Sequence, residues 1–270
     1  MINKSTKQQQ GIQSIEVGTQ LLRVMADNGR PMMLRDLAKS AGMPSAKAHR
    51  YLVSFIRMGL IEQDANNGRY DLGEFSLELG LASLARIDSV RLATPILEEL
   101  CETIGESVSL TRWHKNGVTC VSSVEASSPI TIFLRPGVIL PLTTTAAGLT
   151  FAAFCRSSSL KTMLGKELRV AAKMSNRTLT IAKCDLEEQL NKIKKHGVSL
   201  ASGSFFEGLN GVSAPVFDHS GRMVAAITAG GSITRIPMKW DSSFALNVKE
   251  SAAKLSRLLG YGHPGIRGNS

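Results

Sequence analysis

The chain has 270 residues, a length that suits one large domain or two smaller ones. It is 43% hydrophobic and 20% charged, which excludes wholesale disorder because such a composition can fill a sizeable core. Basic residues exceed acidic residues by 32 to 22, giving a net charge of +10. This surplus predicts a polyanionic partner, either a nucleic acid or an anionic membrane surface.

No apolar run approaches the roughly 20 residues that a membrane-spanning helix needs. The polar start of the chain also lacks the apolar centre of a secretory signal. The four cysteines are far apart, with no CxxC pair and no metal-ligand spacing to the five histidines. We therefore expect a cytoplasmic protein with no metal site and no cofactor.

The positive charge is concentrated at the start of the chain. Residues 1–58 hold nine basic and three acidic residues, a net charge of +6, whereas residues 59–80 have a net charge of −4. A second basic stretch, Arg156 to Lys195, is interpreted as the solvated surface of helices. The first cluster is more informative because it coincides with a helical pattern.

Three helices are predicted within this first cluster. Ser14–Asp27 is amphipathic with a period typical of a helix, and Leu34–Ser40 is a second, short helix. A tight turn at Gly42 follows, since glycine tolerates the backbone angles of a sharp reversal. The third helix is predicted from Ser45 to Met58, after a proline that suits a helix start.

The third predicted helix has an apolar side and a basic side. We expect its buried side to consist of Ala48, Leu52, Phe55 and Ile56. A short helix, a turn and a helix with a basic face are typical of a helix-turn-helix, whose second helix enters the DNA major groove. Base-edge contacts are expected from Ser45, Ala46 and His49, and phosphate contacts from Lys47, Arg50 and Arg57.

A β-hairpin is predicted directly after this helix. Residues 59–63 and 66–72 indicate two short strands joined by an Asn-Gly turn. This hairpin would form the wing of a winged helix-turn-helix, with Arg69 at its tip in contact with DNA. An ordinary three-helix bundle with solvated lysines is the alternative, and the hairpin and the charge asymmetry favour the DNA-binding interpretation.

The rest of the chain predicts a connecting helix and an α+β domain. Phe75–Ile87 has a continuous helical pattern, and Asp88 can cap a further helix that ends near Ile104. From there strands are grouped with flanking helices, which favours an antiparallel sheet. Strands are expected at 107–113, 118–124, 130–134, 212–217 and 223–228, and helices at 149–155, 185–196 and 242–259. The predicted domains are 11–74, a linker helix at 75–88, and 89–262.

Two segments of the second domain are candidates for a ligand site. Pro141–Gly148 ends in small residues and enters a helix, where free N–H groups favour an anion. Ala201–Gly211 is a glycine-rich stretch that we interpret as a loop. A plain helix start and an ordinary exposed loop are the alternatives for these two segments.

Several segments together resemble the IclR family of bacterial transcriptional regulators. They are the residues from Gly42 to Leu52, then Gly59–Ile61, then Arg69–Gly73, within a likeness that extends from about Gly11 to Gly262. The resemblance implies a winged helix-turn-helix, a connecting helix that takes part in a dimer, and a GAF-like effector-binding domain.

The resemblance also implies where a small carboxylate effector would bind. The family's loop offers N–H groups that match Ala146 and Ala147. Members that sense small 2-oxo acids have Asp in place of Ala201 and commonly Cys in place of Gly211, while many members have Lys in place of Leu149. These departures predict a roomier, less polar pocket for an aromatic or longer acid. The effector-binding residues expected are Thr145, Ala146, Ala147, Gly148, Ala201, Gly211, Thr228 and Gly230.

An enzyme and a membrane-surface protein are the other classes that we consider. The sequence contains no GxSxG, GxxxxGK[ST] or HExxH pattern. It also lacks a long helix with one basic and one aromatic face. We therefore expect a transcription factor, not an enzyme, that binds a palindromic double-stranded operator as a homodimer or a dimer of dimers.

Overall fold

A computed structural model of the chain describes residues 11–85, 88–127, 134–173, 183–203 and 207–262. These residues form two compact units, one up to Ala85 and one from Asp88 to Gly262. Within the described ranges, no helix combines the length and the apolar character that crossing a bilayer requires.

The first unit contains three helices, a two-stranded antiparallel hairpin and a fourth helix. Its small core is formed by residues such as Leu21, Leu37 and Leu52, which are fully buried. The elements confirm the three predicted helices and the hairpin: α1 (Gln13–Asn28), α2 (Leu34–Ser40), α3 (Ser45–Arg57), β1 (Ile61–Gln63), β2 (Tyr70–Leu72) and α4 (Glu74–Ala85).

The turn between α2 and α3 depends on Gly42. Its φ angle is +64°, a left-handed conformation that side chains disfavour. A Cβ atom at this position would meet no atom within 4 Å. The constraint on Gly42 is therefore its backbone conformation, which sets the reversal that leads into α3.

Two details of the first unit differ from the sequence prediction. Ile56 is 37% exposed, because it lies one residue further around α3 than Phe55, beyond the face that packs on α1 and α2. The hairpin loop is also longer than a two-residue Asn-Gly turn, since the strands pair only as far as Gln63 and Tyr70.

The second unit is a six-stranded antiparallel sheet with helices on both faces, which confirms the predicted α+β class. The strand order is β5-β4-β3-β8-β7-β6. The elements are α5 (Ser89–Ile104), β3 (Ser107–His114), β4 (Gly117–Val124), β5 (Ile139–Leu140), α6 (Ala146–Phe154), α7 (Ser158–Lys173), α8 (Lys183–His196), β6 (Ser199–Ser202), β7 (Leu209–Phe217), β8 (Met223–Ser232) and α9 (Ser243–Leu258).

The two faces of this sheet have different compositions. Side chains alternate between the faces along each strand. One face carries aliphatic residues such as Val108, Val212 and Ile227, which form the main core with α5 and α9. The opposite face carries small and hydroxyl-bearing residues, and α6 packs on it so closely that a Cβ atom on Gly211 would lie 3.2 Å from the Cβ of Ala146.

Several predicted elements of the second unit need correction. The segment Ala201–Gly211 is not a loop as a whole, because its two ends belong to β6 and β7, which pair with each other. Helix α6 begins at Ala146 rather than Leu149, and α7 was not predicted as a separate helix. Of the strand predicted at 130–134, residues 130–133 lie outside the described residues, and Leu134 belongs to no strand.

The loop that leads into α6 is held by hydrogen bonds of Thr145 and Glu167. The Thr145 hydroxyl donates to the Pro141 carbonyl at 2.7 Å and accepts the Gly148 N–H at 2.9 Å. Glu167 of α7 accepts the N–H groups of Leu142 at 2.9 Å and of Thr143 at 3.2 Å. A Cβ atom on Gly148 would overlap the Pro141 carbonyl oxygen, so the first turn of α6 lies directly against this loop.

We expect Gly148→Ala to lower the free energy of unfolding by at least about 1 kcal/mol, because the added methyl group must displace the Pro141 backbone. Gly165→Ala in α7 is the matched control. A Cβ atom there meets nothing within 4 Å, so we expect stabilisation of about 0.5–1 kcal/mol from helix propensity. Urea unfolding of both variants tests this difference, and equal effects would contradict it.

Candidate functional site

Helix α3 presents a continuous exposed face with three positive charges. Ala48 and Leu52 are fully buried and fix the orientation of the helix. No carboxylate of the described residues forms an ion pair with a basic side chain of α3, so these charges are available to an external anion. The exposed residues include all six residues of α3 that sequence reasoning assigned to DNA contact: Ser45, Ala46, Lys47, His49, Arg50 and Arg57.

The hairpin places Arg69 differently from the prediction. Its tip is formed by Asn66, Asn67 and Gly68, and Arg69 lies after the tip, next to β2. The Arg69 guanidinium donates to the Pro31 carbonyl at 3.2 Å. The side chain is exposed, yet it is held against the loop before α2 rather than extended from the tip.

The second unit contains a cavity of about 100 Å³ beside the first turn of α6, large enough for a small molecule. Gly148 does not line it, because this glycine faces the Pro141 carbonyl. The cavity brings together the other seven predicted effector residues: Thr145, Ala146, Ala147, Ala201, Gly211, Thr228 and Gly230.

Strand register explains why distant residues meet in this cavity. Ala201 is paired with Gly211, Gly211 with Gly230, and Gly230 with Ser107. These four residues therefore lie side by side across β6, β7, β8 and β3. Because three of them have at most a methyl side chain, the backbone itself forms part of the cavity wall.

The first turn of α6 offers two free hydrogen-bond donors. Thr145 is the N-cap residue, and its side chain takes the N–H of Gly148. No acceptor among the described residues bonds to the N–H groups of Ala146 and Ala147. Unpaired N–H groups and the helix dipole together make this end of the cavity favourable for an anion.

The cavity lining contains hydroxyl groups but no acidic or basic side chain among the described residues. Thr228 is one of the expected effector-binding residues. Its Oγ1 donates to Ser213 Oγ at 2.8 Å, in the buried layer between the sheet and α6. Leu149 is also turned away from the cavity, since it packs with Leu186 and Ile193 on the outer side of α6.

Sequence reasoning missed four polar residues of the cavity, one of which is Asn210 on β7. Ser107 and Ser109 of β3 line it together with Thr144. The alternation Ser107-Val108-Ser109-Leu110-Thr111 was a usable signal, because every second residue of this strand is a hydroxyl although all five are buried. Such a pattern indicates a strand with one apolar face and one polar, enclosed face.

An ion pair lies on the other face of the sheet, directly behind one end of the cavity. Glu106 is only 4% exposed, and its Oε1 lies 2.7 Å from Arg235 Nε. Burial raises the pKa of Glu106, and the Arg235 charge partly offsets this by lowering it. Arg235 also donates to the Gly105 carbonyl at 2.9 Å, which joins the segment after β8 to the end of α5. The Glu106 carboxylate fits here because Gly231 has no Cβ.

Both units match known protein families. The model of the IclR helix-turn-helix domain matches residues 14–65. The model of the bacterial transcriptional regulator IclR C-terminal domain matches residues 81–257. The chain belongs to the IclR family of bacterial transcriptional regulators. This IclR-family protein is therefore a DNA-binding regulator and not an enzyme, as the sequence predicted.

Individual relatives cover nearly the whole protein. The glycerol operon regulatory protein of Streptomyces griseus is 30% identical over 253 residues, which are 93% of this chain and 98% of that protein. The transcriptional repressor IclR of Escherichia coli K12 is 27% identical over 93% of this chain and 90% of its own length. The crystal structure of Pseudomonas aeruginosa HmgR is 30% identical, with a TM-score of 0.86 over 93% of this chain and 99% of that one.

The exposed charges of α3 lead to a prediction about salt dependence. If Arg50 contacts a phosphate, Arg50→Ala should weaken binding about equally on operator and random DNA and lower the salt slope by roughly one. Arg257→Ala removes the same charge from an exposed position on α9 and should leave the slope unchanged. Titrations at several salt concentrations, on the DNA upstream of the protein's own gene, measure both slopes. An unchanged slope for Arg50→Ala would remove Arg50 from the phosphate contacts.

His49 leads to a different expectation, because it lies nearer the N-terminal end of α3, which reaches base edges. We expect His49→Ala to change the preferred operator sequence, at about 1–3 kcal/mol for a lost base contact. Selection from a randomised operator library compares the variant with the wild-type protein. A uniform loss of affinity with the same sequence preference would show that His49 does not contact a base.

Proposed function

We propose that a small carboxylic acid binds in the cavity of the second unit and thereby controls the affinity of this IclR-family protein for its operator. The observation that carries this proposal is the pair of free N–H groups at Ala146 and Ala147. They lie at the wall of a cavity whose described lining has no charged side chain. A carboxylate would accept both hydrogen bonds and interact favourably with the dipole of α6.

The remainder of the cavity suits the uncharged part of such an acid. Leu134, Leu140 and Leu209 contribute apolar side chains to the lining, and ligand pockets commonly combine apolar walls with a few polar groups that fix orientation. The small residues at 201, 211 and 230 leave room for a longer or aromatic body. These features support a carboxylate effector over a cationic or highly polar one.

We also propose that the protein binds a palindromic operator as a homodimer or a dimer of dimers. A single α3 contacts few base pairs, and a two-fold assembly reads two half-sites. Helix α4 supports this assembly, because Leu77 and Leu81 on one face and Leu79 on the opposite side are each at least half exposed. A helix that is apolar all round is normally covered by another surface.

The effector changes operator affinity only if it binds the two conformations of the protein with different affinities. A variant that cannot bind the acid should therefore remain in its effector-free state. Ala147→Asp places a negative charge where the carboxylate would lie. We expect this variant to bind the operator normally and to lose its response to the effector, since α3 is in the other unit.

A thermal-shift screen of small aliphatic and aromatic acids, followed by operator titration with each hit, tests this expectation. Ala253→Asp, an exposed position on α9, introduces the same charge away from the cavity and should respond like the wild-type protein. The primary amide of each hit provides a test without mutation, since it lacks the negative charge and should lose most of its affinity. Hits that bind Ala147→Asp as well as the wild-type protein would contradict the proposal, as would a screen in which only uncharged compounds bind.

A further inference from the structure

The Thr228 hydroxyl presents an acceptor, not a donor, to the cavity. Thr228 lines the cavity and is 7% exposed. A hydroxyl group has one hydrogen and two lone pairs. Because Thr228 Oγ1 donates its hydrogen to Ser213 Oγ at 2.8 Å, the part of this hydroxyl that remains for a ligand is a lone pair.

Ser213 provides this acceptor from behind the cavity wall. It is fully buried and is the strand partner of Thr228 on β7, but it does not line the cavity. The hydroxyls of Thr150 and Ser199 lie 3.2 Å and 3.3 Å from its carbonyl oxygen, and they also lie 3.0 Å and 2.6 Å from the Ala146 carbonyl oxygen. These contacts tie this part of β7 to α6 and β6 and hold Ser213 in place beside Thr228.

Two neighbouring hydroxyls of the cavity also direct their hydrogens into the protein. Thr145 Oγ1 donates to the Pro141 carbonyl at 2.7 Å, and Ser109 Oγ lies 3.5 Å from the Thr228 carbonyl that it faces. Ser107 is different, since its Oγ accepts the Ala126 N–H at 3.1 Å and keeps its own hydrogen. The cavity therefore combines donors at the start of α6 and at Ser107 with an acceptor at Thr228.

We propose that Ser213 is a specificity-determining residue that makes the pocket select carboxylic acids bearing a hydroxyl group over the corresponding 2-oxo acids. This inference rests on the proposed function, in which the N–H groups of Ala146 and Ala147 hold the carboxylate. The ligand hydroxyl donates to Thr228 Oγ1. An oxo group in the same place would bring its oxygen against Thr228 Oγ1, and both atoms are acceptors with no hydrogen between them. A buried site strongly disfavours such an unpaired contact.

Calorimetric titration of the full-length protein with matched acids tests this preference. The probes are lactate and pyruvate, mandelate and benzoylformate, and 4-hydroxyphenylacetate and its 4-methoxy ether. For the acids that fit the cavity, we expect the hydroxyl member to bind at least about tenfold more tightly than its partner. An oxo acid or ether that binds the wild-type protein as well as the hydroxy acid overturns the inference and leaves the proposed carboxylate site intact.

Two serine variants assign this preference to Ser213. Ser213→Ala removes the acceptor, frees the Thr228 hydrogen to turn into the cavity, and should bring the hydroxy-to-oxo affinity ratio close to one. Ser199→Ala is the matched control, because Ser199 is equally buried, is the strand partner of Ser213 on β6, and has no hydrogen bond to Thr228. Ser199→Ala should change the affinities for the hydroxy acid and for the oxo acid by the same factor, so that their ratio stays as in the wild-type protein.

Further outcomes separate this inference from the proposed function. If Ser213→Ala and Ser199→Ala both bring the hydroxy-to-oxo affinity ratio close to one, general loosening of the buried layer is responsible. That result overturns the role of Ser213. Thr228→Val, which removes the acceptor itself, should also abolish the preference, and a retained preference again overturns the inference. If no acid binds the wild-type protein, the carboxylate site fails and the inference fails with it.

Discussion

The close approach of α6 to the sheet is the constraint on which the second unit depends. Gly211 leaves only enough space for the Ala146 methyl group, and Gly148 allows the same helix to lie against the Pro141 carbonyl. Both contacts leave the N–H groups of the first turn beside the cavity without a bulky side chain in front of them. An anion site made of backbone atoms requires this tight packing, because backbone donors cannot extend toward a ligand as lysine or arginine can.

The two units use electrostatics in opposite ways. The surface of α3 has exposed basic side chains that find no carboxylate partner among the described residues, which suits a highly charged and hydrated polyanion. The described part of the cavity lining is uncharged and offers a helix dipole and directed hydrogen bonds, which suits a small ligand with one charge. A strongly basic chain can therefore contain a ligand site whose described lining includes no basic side chain.

The sequence predicted those parts of the molecule whose residues repeat with a clear period. Helices α1 to α3 agree with their predicted bounds to within one residue at each end, because alternation of apolar and basic residues at helical spacing is a local property. Strand β6 and the start of α6 were missed, since Ser199–Ser202 and Thr145–Gly148 are short runs composed mostly of small residues, without such contrast. The hydrogen bonds of Arg69 and Thr228 join residues 38 and 15 positions apart, so they depend on the tertiary fold rather than on local sequence.

The wall between the cavity and the Glu106–Arg235 pair is a single sheet, one residue thick. Ser107 and Gly230 face the ligand side, while their chain neighbours Glu106 and Gly231 face the ion pair. A side chain added at position 231 has to displace the Glu106 carboxylate, and with it the start of β3 that carries Ser107. The shape of the pocket is thus coupled, through the backbone of β3 and β8, to a pair of charges on the opposite side of the wall.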